Sequence, residues 1–365
     1  MEKRIYISIL AFSLSIYSFA RINVDSLFQK ISRLSFYCVP TLAYQPETKF
    51  AFGVGGGYYF KFINPSKISS LTFNTSVTQN QQFTFNVTPR IYFGNKTWYV
   101  YSNLNIQNYP DTYYGIGNAK EDLLTHPIRY TSRRFSLTLL PQRYLTEHLS
   151  LGILLSVKSE KTVWADSLNK RMLTTNVLGW KPYLMVGLGC ALTYDSRNSL
   201  FYPTTGVFSK LNFIRYDRFW GSSYNVTDLR FDFRHYISLY QNHVFAWQFY
   251  TNWKLGCAIP FQMLATIGGS DLMRGFTQEK YRDNALAVLQ GEYRFPIYNI
   301  FKGAVFCSTG DVFDSRNLII DKLKFSYGAG VRFRITKAKV NLRFDVTLNN
   351  YYSGFNYYIT AMEAF

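Results

Sequence analysis

Arg274 is the side chain best equipped for specific chemistry. It stands at the tip of Ile267-Gly-Gly-Ser-Asp-Leu-Met273-Arg274-Gly275-Phe276, in a long insertion at about 259–283. Paired glycines let a backbone fold back tightly, and a guanidinium presents a planar fork of donors that needs a fixed acceptor. Other residue types that do chemistry do not assemble. His126, His148, His235 and His243 show no metal-ligand spacing. His235 has no serine on its own parity within its run, and no Gly-x-Ser-x-Gly elbow occurs, so a lipid hydrolase lacks its nucleophile. Cys38, Cys190, Cys257 and Cys307 lie far apart in apolar, strand-like runs. Each reads as a small buried or lipid-facing residue rather than a disulfide partner or ligand. No enzymatic activity, metal or cofactor is expected.

The elements that must position Arg274 carry a period of two. Phe83, Phe85, Val87, Ile91 and Phe93 alternate with Thr84, Asn86, Thr88, Arg90 and Tyr92. Leu149, Leu151, Ile153, Leu155 and Val157 share one face. Leu229, Phe231, Phe233, Ile237 and Leu239 oppose Arg230, Asp232, Arg234 and Ser238. Tyr327, Ala329, Val331 and Phe333 oppose Gly328, Gly330, Arg332 and Arg334, and Leu342, Phe344, Val346 and Leu348 oppose Asn341, Arg343, Asp345 and Thr347. One greasy and one polar face, repeated to residue 365, describes hydrocarbon outside and a wet, polar lumen inside. A secreted sandwich would also alternate, with shorter strands and a polar face turned to bulk water.

Short turns at 94–96, 145–148, 241–243 and 336–338 alternate with longer loops at 109–125, 164–180, 259–283 and 310–321. That asymmetry is expected of an outer-membrane barrel, and strands placed between the connections number about sixteen. The expected fold is therefore all-β, a 16-stranded antiparallel transmembrane barrel over residues 36–365 with the 259–283 insertion folded inward. Aromatic residues make up 19% of the chain, which suits interfacial girdles. The net charge of +18 is spread along the strands, so a cationic lumen and anionic lipid headgroups explain it and nucleic acid does not.

The first residues read as a secretory signal peptide. Lys3 and Arg4 precede an apolar run, and Ser18-Phe19-Ala20 offers a cleavage site after Ala20. Residues 21–35 place Val24, Leu27, Phe28, Ile31 and Leu34 on one face of a short amphipathic helix. It reads either as a leader on the barrel rim or as a plug or docking segment. Export followed by a barrel implies the outer membrane of a Gram-negative bacterium, with its lipids and lipopolysaccharide as surroundings.

Five stretches in order resemble the Omp85 superfamily of outer-membrane barrels. They are Pro40–Phe50, Asp195-Ser-Arg197-Asn198 with Pro203-Thr-Thr-Gly206, Met273-Arg274-Gly275-Phe276, Arg282 to Pro296, and Gly328–Arg332 with Arg343-Phe344-Asp345 as a last hairpin. The resemblance implies that the Arg-Gly-Phe tip of the sixth external loop folds down inside the barrel. Glu292, which parity turns inward beside Arg294, then becomes the acceptor that latches Arg274. The family's Phe-x-Asp-x-Gly strand reads Phe306-Cys-Ser308-Thr-Gly310 here, so Ser308 replaces a second acidic acceptor. Pro40, which lacks a ladder donor, marks a weak seam between first and last strands, or else a strand start or bulge. Phe365 is expected as an aromatic ending the last strand, the signal that barrel-assembly machinery reads. Family members that insert or translocate proteins carry periplasmic POTRA domains, for which the residues between Ala20 and the first strand leave no room. The implied function is outer-membrane protein assembly or translocation with a POTRA-bearing or lipoprotein partner. The alternatives are a structural subunit of a larger complex and a passive pore made anion-preferring by Arg90, Arg230, Arg332 and Arg343.

Overall fold

The computed structural model describes residues 36–60, 69–93, 97–119, 123–164, 177–200, 202–316, 323–334 and 341–365. The expected signal peptide, the helix at 21–35, and the connections at 94–96 and 336–338 lie outside the described residues.

Sixteen antiparallel strands close into one barrel. They are β1 (Phe36–Gln45), β2 (Lys49–Phe60), β3 (Ser69–Thr78), β4 (Phe83–Phe93), β5 (Trp98–Gly115), β6 (Leu123–Tyr144), β7 (Leu149–Trp164) and β8 (Tyr183–Asp195). The second half comprises β9 (Gly206–Tyr216), β10 (Val226–Tyr240), β11 (His243–Leu255), β12 (Ala285–Tyr298), β13 (Phe301–Phe313), β14 (Lys324–Arg334), β15 (Asn341–Asn349) and β16 (Asn356–Ala361). Each strand pairs with its neighbours in sequence, and β1 meets β16 to close the wall. Two of the expected loops are shorter than their polarity suggested. β5 runs on through Pro110 and Asp111 to Gly115, and β13 reaches Phe313, because polar residues there face the lumen and not a loop. Gly328–Arg332 and Arg343–Asp345 fall on β14 and β15, one hairpin before the last.

The two-residue rhythm sorts the wall as a hydrocarbon-facing cylinder requires. On β7, Ile153 is 59% exposed while its neighbours Leu154 and Gly152 point inward, with Leu154 at 3%. Free Cys38, Cys190, Cys257 and Cys307 are all exposed, so these thiols look outward, with Cys257 just beyond the end of β11. Part of the inner wall is apolar. Leu140, Leu154, Met185, Ile214 and Tyr216 form an apolar cluster on the inner wall. Met263 of the β11–β12 insertion completes it.

The wall is uneven where it closes. β5, β6 and β7 have 18, 22 and 16 residues, whereas β15 and β16 have 9 and 6. β1 pairs with β2 through all ten of its residues, from Phe36↔Tyr58 to Gln45↔Lys49. Its register with β16 is the single pair Tyr44↔Ile359. Pro40 sits in mid-strand opposite Val54 in an unbroken register, so it marks neither a strand start nor a bulge. Proline in a sheet belongs on an edge, where a missing donor costs no ladder bond.

This sorting predicts that Ile153→Lys, in the first half of β7, lowers barrel stability by up to about 2–4 kcal/mol, the range for a cation turned into hydrocarbon. Urea titration of the protein folded into vesicles measures it. A change under about 0.5 kcal/mol would place Ile153 off the hydrocarbon face.

Candidate functional site

Residues 256–284 leave β11 and fold into the barrel. Phe261 is fully buried between Tyr113 and Tyr130 of β5 and β6, and Trp180 packs on the same ring. The chain then crosses toward β12–β16, steadied by a two-residue ladder of Ala265–Thr266 with Arg282–Asp283. Gly268 takes φ +104° beneath the carbonyl of Thr277, where a Cβ would lie 2.5 Å from that oxygen. The tip fold therefore requires glycine. Met273 and Phe276 are fully buried among Ile267, Tyr281, Leu286 and Val288. Arg282, also fully buried, donates to the Glu279 carbonyl and lies over the rings of Tyr113 and Phe261.

Arg274 enters a network of buried charge. Its Nη2 donates to Glu292 Oε2 and its Nη1 to Asp345 Oδ2, both at 2.7 Å. The guanidinium carbon sits 3.4 Å over the Phe306 ring. Arg294 Nε donates to the other Glu292 oxygen at 2.7 Å. Arg332 bridges Glu292 at 3.0 Å and Asp345, and reaches Glu363 Oε2 at 3.1 Å. Arg343 lies 3.2 Å from Asp345 and donates to the Ser270 carbonyl. Four arginines thus meet Glu292, Asp345 and Glu363 with essentially no solvent contact. Such a cluster is not cheap to assemble, and removing one of its three carboxylates leaves uncompensated buried cations. The backbone beside the tip is held as well. Gly275 N–H donates to Tyr358 Oη at 2.9 Å, and its carbonyl accepts from Asn349 and Asn356.

The sequence motifs sort unequally against this geometry. Arg274 and Glu292 meet directly, as the strand parity of Glu292 implied. Ser308 does not join them. It bonds Ser326 Oγ at 3.0 Å, and Asp345 supplies the second carboxylate from two strands further round the wall. Asp345 was visible as an inward acid, but nothing in its local sequence aims it at residue 274. Phe365 is not on the last strand. β16 ends at Ala361, and Met362 adopts φ +68°. The following residues turn into the barrel, where Phe365 packs on Tyr236 and Ala246 and its carbonyl accepts from Arg294. Glu363, drawn to Arg332 and Asn341, explains that turn. Asp195, Arg197 and Asn198 form a structural corner between β8 and β9. Arg197 grips Asp195 through two bonds, while the Asn198 side chain caps the Thr204 and Thr205 amides.

The insertion borders a space in the lumen through Leu264, Thr266, Asp271 and Leu272. This cavity of about 320 Å³ is also bounded by Asp232, Arg234 and Tyr250. Among the described residues no group of three or more His, Cys, Asp or Glu could hold a metal ion.

Comparison with known proteins places this architecture. The model of the Omp85 superfamily domain matches residues 67–358. BamA from Haemophilus ducreyi, solved without POTRA domains 1–3, superimposes with a TM-score of 0.63 at 15% identity, over 90% of this chain and 70% of that one. CdiB from Acinetobacter baumannii gives 0.57 at 10% identity, over 89% of this chain and 59% of that one. CdiB from Escherichia coli gives 0.56 at 11% identity, over 90% and 62%. The chain therefore spans about three fifths of the CdiB chains it matches. The search of curated protein sequences finds no match.

Arg274→Ala should cost about 3–5 kcal/mol of loop anchoring by removing two charge-assisted hydrogen bonds, to Glu292 and to Asp345. Limited proteolysis of the folded barrel should then cleave within 267–278, while Ser308→Ala stays as resistant as the parent. Equal resistance in Arg274→Ala would mean that the charge network does not hold the loop.

Proposed function

The chain belongs to the Omp85 superfamily, and from that premise we propose that it works in the outer membrane in the assembly or translocation of other proteins, through the seam between β1 and β16. One observation carries the reading. Along the closure, Tyr44↔Ile359 is the single paired position among the described residues, while β1 offers ten residues of strand. Unpaired backbone groups at hydrocarbon depth cost several kcal/mol each. An edge in that condition gains by accepting another strand, and β-augmentation is the recognition mode that supplies one. The incoming partner in this proposal is an unfolded β-strand of a client, and Pro40 keeps part of the edge from pairing permanently.

Residues 36–365 are given over to the barrel, its loops and its inward-turned tail. Collecting clients before they reach the seam is assigned in this proposal to a POTRA-bearing or lipoprotein partner. The outward aromatic and aliphatic belt fits outer-membrane lipid and lipopolysaccharide as the surrounding phase. We assign the chain no catalytic step, and Sec export through the N-terminal apolar run belongs to the same proposal.

A passive anion-preferring pore is less well supported. Arg332 and Arg343 are buried against carboxylates, Arg230 is bonded to Asp228, and the β11–β12 insertion occupies the lumen. A purely structural subunit would keep the same barrel but would have no use for an underpaired seam.

The test is a reversible lock. In a background with the four native cysteines replaced by serine, Tyr44→Cys with Ile359→Cys should form a disulfide across the seam. Cells relying on this variant should lose heat-modifiable outer-membrane barrels or secreted clients when oxidised and regain them on reduction. Full activity with the seam locked would remove the gate from the account.

A further inference from the structure

The sixth external loop touches both sides of the seam within four residues. We propose that this segment straps the seam shut, with Glu47 as its anchor on the β1 side. The inference deepens the gate reading and rests on it for its biological meaning.

On the β16 side the strap is held at Gly275, through Tyr358, Asn356 and Asn349. Gly275 adopts φ +107°, and a Cβ there would press within 3.2 Å of Thr347 Oγ1, so the tip sits closely against this wall. Three residues later, Gln278 N–H donates to Glu47 Oε1 at 2.7 Å. Glu47 stands in the 46–48 turn that joins β1 to β2. The turn is itself tied down, because Asn80 donates to the Glu47 carbonyl at 2.6 Å and Gln79 N–H donates to the Phe50 carbonyl. A pull on the loop tip is therefore transmitted to the end of β1.

The Glu47 carboxylate has a cost that its position does not require. Its second oxygen, Oε2, is buried with no hydrogen-bond partner, although a turn glutamate is ordinarily free to reach water. Burial pushes its carboxyl above the ordinary carboxylate value, against the opposing pull of the Gln278 N–H. What Glu47 gains in return is the contact with the loop. That contact stands in for ladder bonds that β1 and β16 do not make.

Both edges are laddered into the wall, β1 through ten pairs with β2. β16 keeps six ladder pairs with β15, and beyond its end Glu363 is bonded to Arg332 and Asn341. Across the seam, β1 has Tyr44↔Ile359 and Glu47. Release of the strap thus leaves Tyr44↔Ile359 as the described ladder pair that still joins the two edges.

Hydrogen exchange of the full chain in phosphatidylcholine vesicles reads this directly. Glu47→Ala should speed exchange at 41–45 and 356–361 about tenfold, the loss of one hydrogen bond. Glu47→Gln, whose neutral amide oxygen still accepts from Gln278, should exchange like the parent. β6 and β7 on the far wall should not change in either variant. Unchanged seam exchange in Glu47→Ala overturns the proposal, and so does equal acceleration on the far wall, which would report general loosening. Exchange detects the strap whether or not clients pass the seam. The disulfide lock tests the gate alone, so the two readings can fail separately.

Discussion

A cation carried on a loop can rest in the middle of a barrel only if fixed carboxylates meet it there. Arg274 is met by two, Glu292 on β12 and Asp345 on β15, with the Phe306 ring against its flat face. Those carboxylates are in turn shared with Arg294, Arg332 and Arg343, so the loop arginine is held by groups that the wall already fixes. Buried pairs are weak evidence for stability because desolvation offsets the attraction. Here their contribution is specific placement. The cluster ties the loop, four wall strands from β12 to β15 and the residues after β16 to one point, and the apolar side chains of Met273 and Phe276 pack around it.

From that point the rest of the molecule follows two different logics. On the β5–β9 side the wall is tall and the loop fills the lumen with Phe261 and Met263, an ordinary hydrophobic plug. On the seam side β15 and β16 are short and the described register between β1 and β16 is one pair, and side chains of the loop and the β1–β2 turn add to the closure. The wall is thus rigid where it is thick and conditional where it is thin. A barrel that only had to hold a hole in a membrane would have no reason to differ so much around its circumference. The charge cluster sits beside the conditional side, which is where a loop can influence whether the wall stays closed.

Much of this was legible in the sequence, for definite physical reasons. The alternation of Leu229, Phe231 and Phe233 with Arg230, Asp232 and Arg234 can be satisfied by a wall with unlike sides, and parity alone turned Glu292 toward the lumen beside Arg294. What could not be read was contact between residues brought together by closure. Asp345 lies 71 positions from Arg274, and nothing local to it distinguishes its task from that of Asp232, which pairs with its own neighbour Arg234. Ser308 was a reasonable place to look because the motif pointed there, yet it turned out to bond Ser326. Phe365 misled for a related reason. A terminal aromatic at strand parity extends a strand by default, and only the left-handed Met362 and the pull of Arg332 on Glu363 turn it inward.

The central claim is that Arg274 lives inside the closed barrel among carboxylates. Arginine-specific labelling with a dicarbonyl reagent on the unmodified protein in vesicles tests it most directly. Arg218, on an exposed external turn, should label readily, while Arg274, Arg294 and Arg332 stay protected until the barrel is unfolded. Labelling of Arg274 at the pace of Arg218 in the folded protein would contradict the account, since the loop would then lie in water and the buried carboxylates would have to be met by something else.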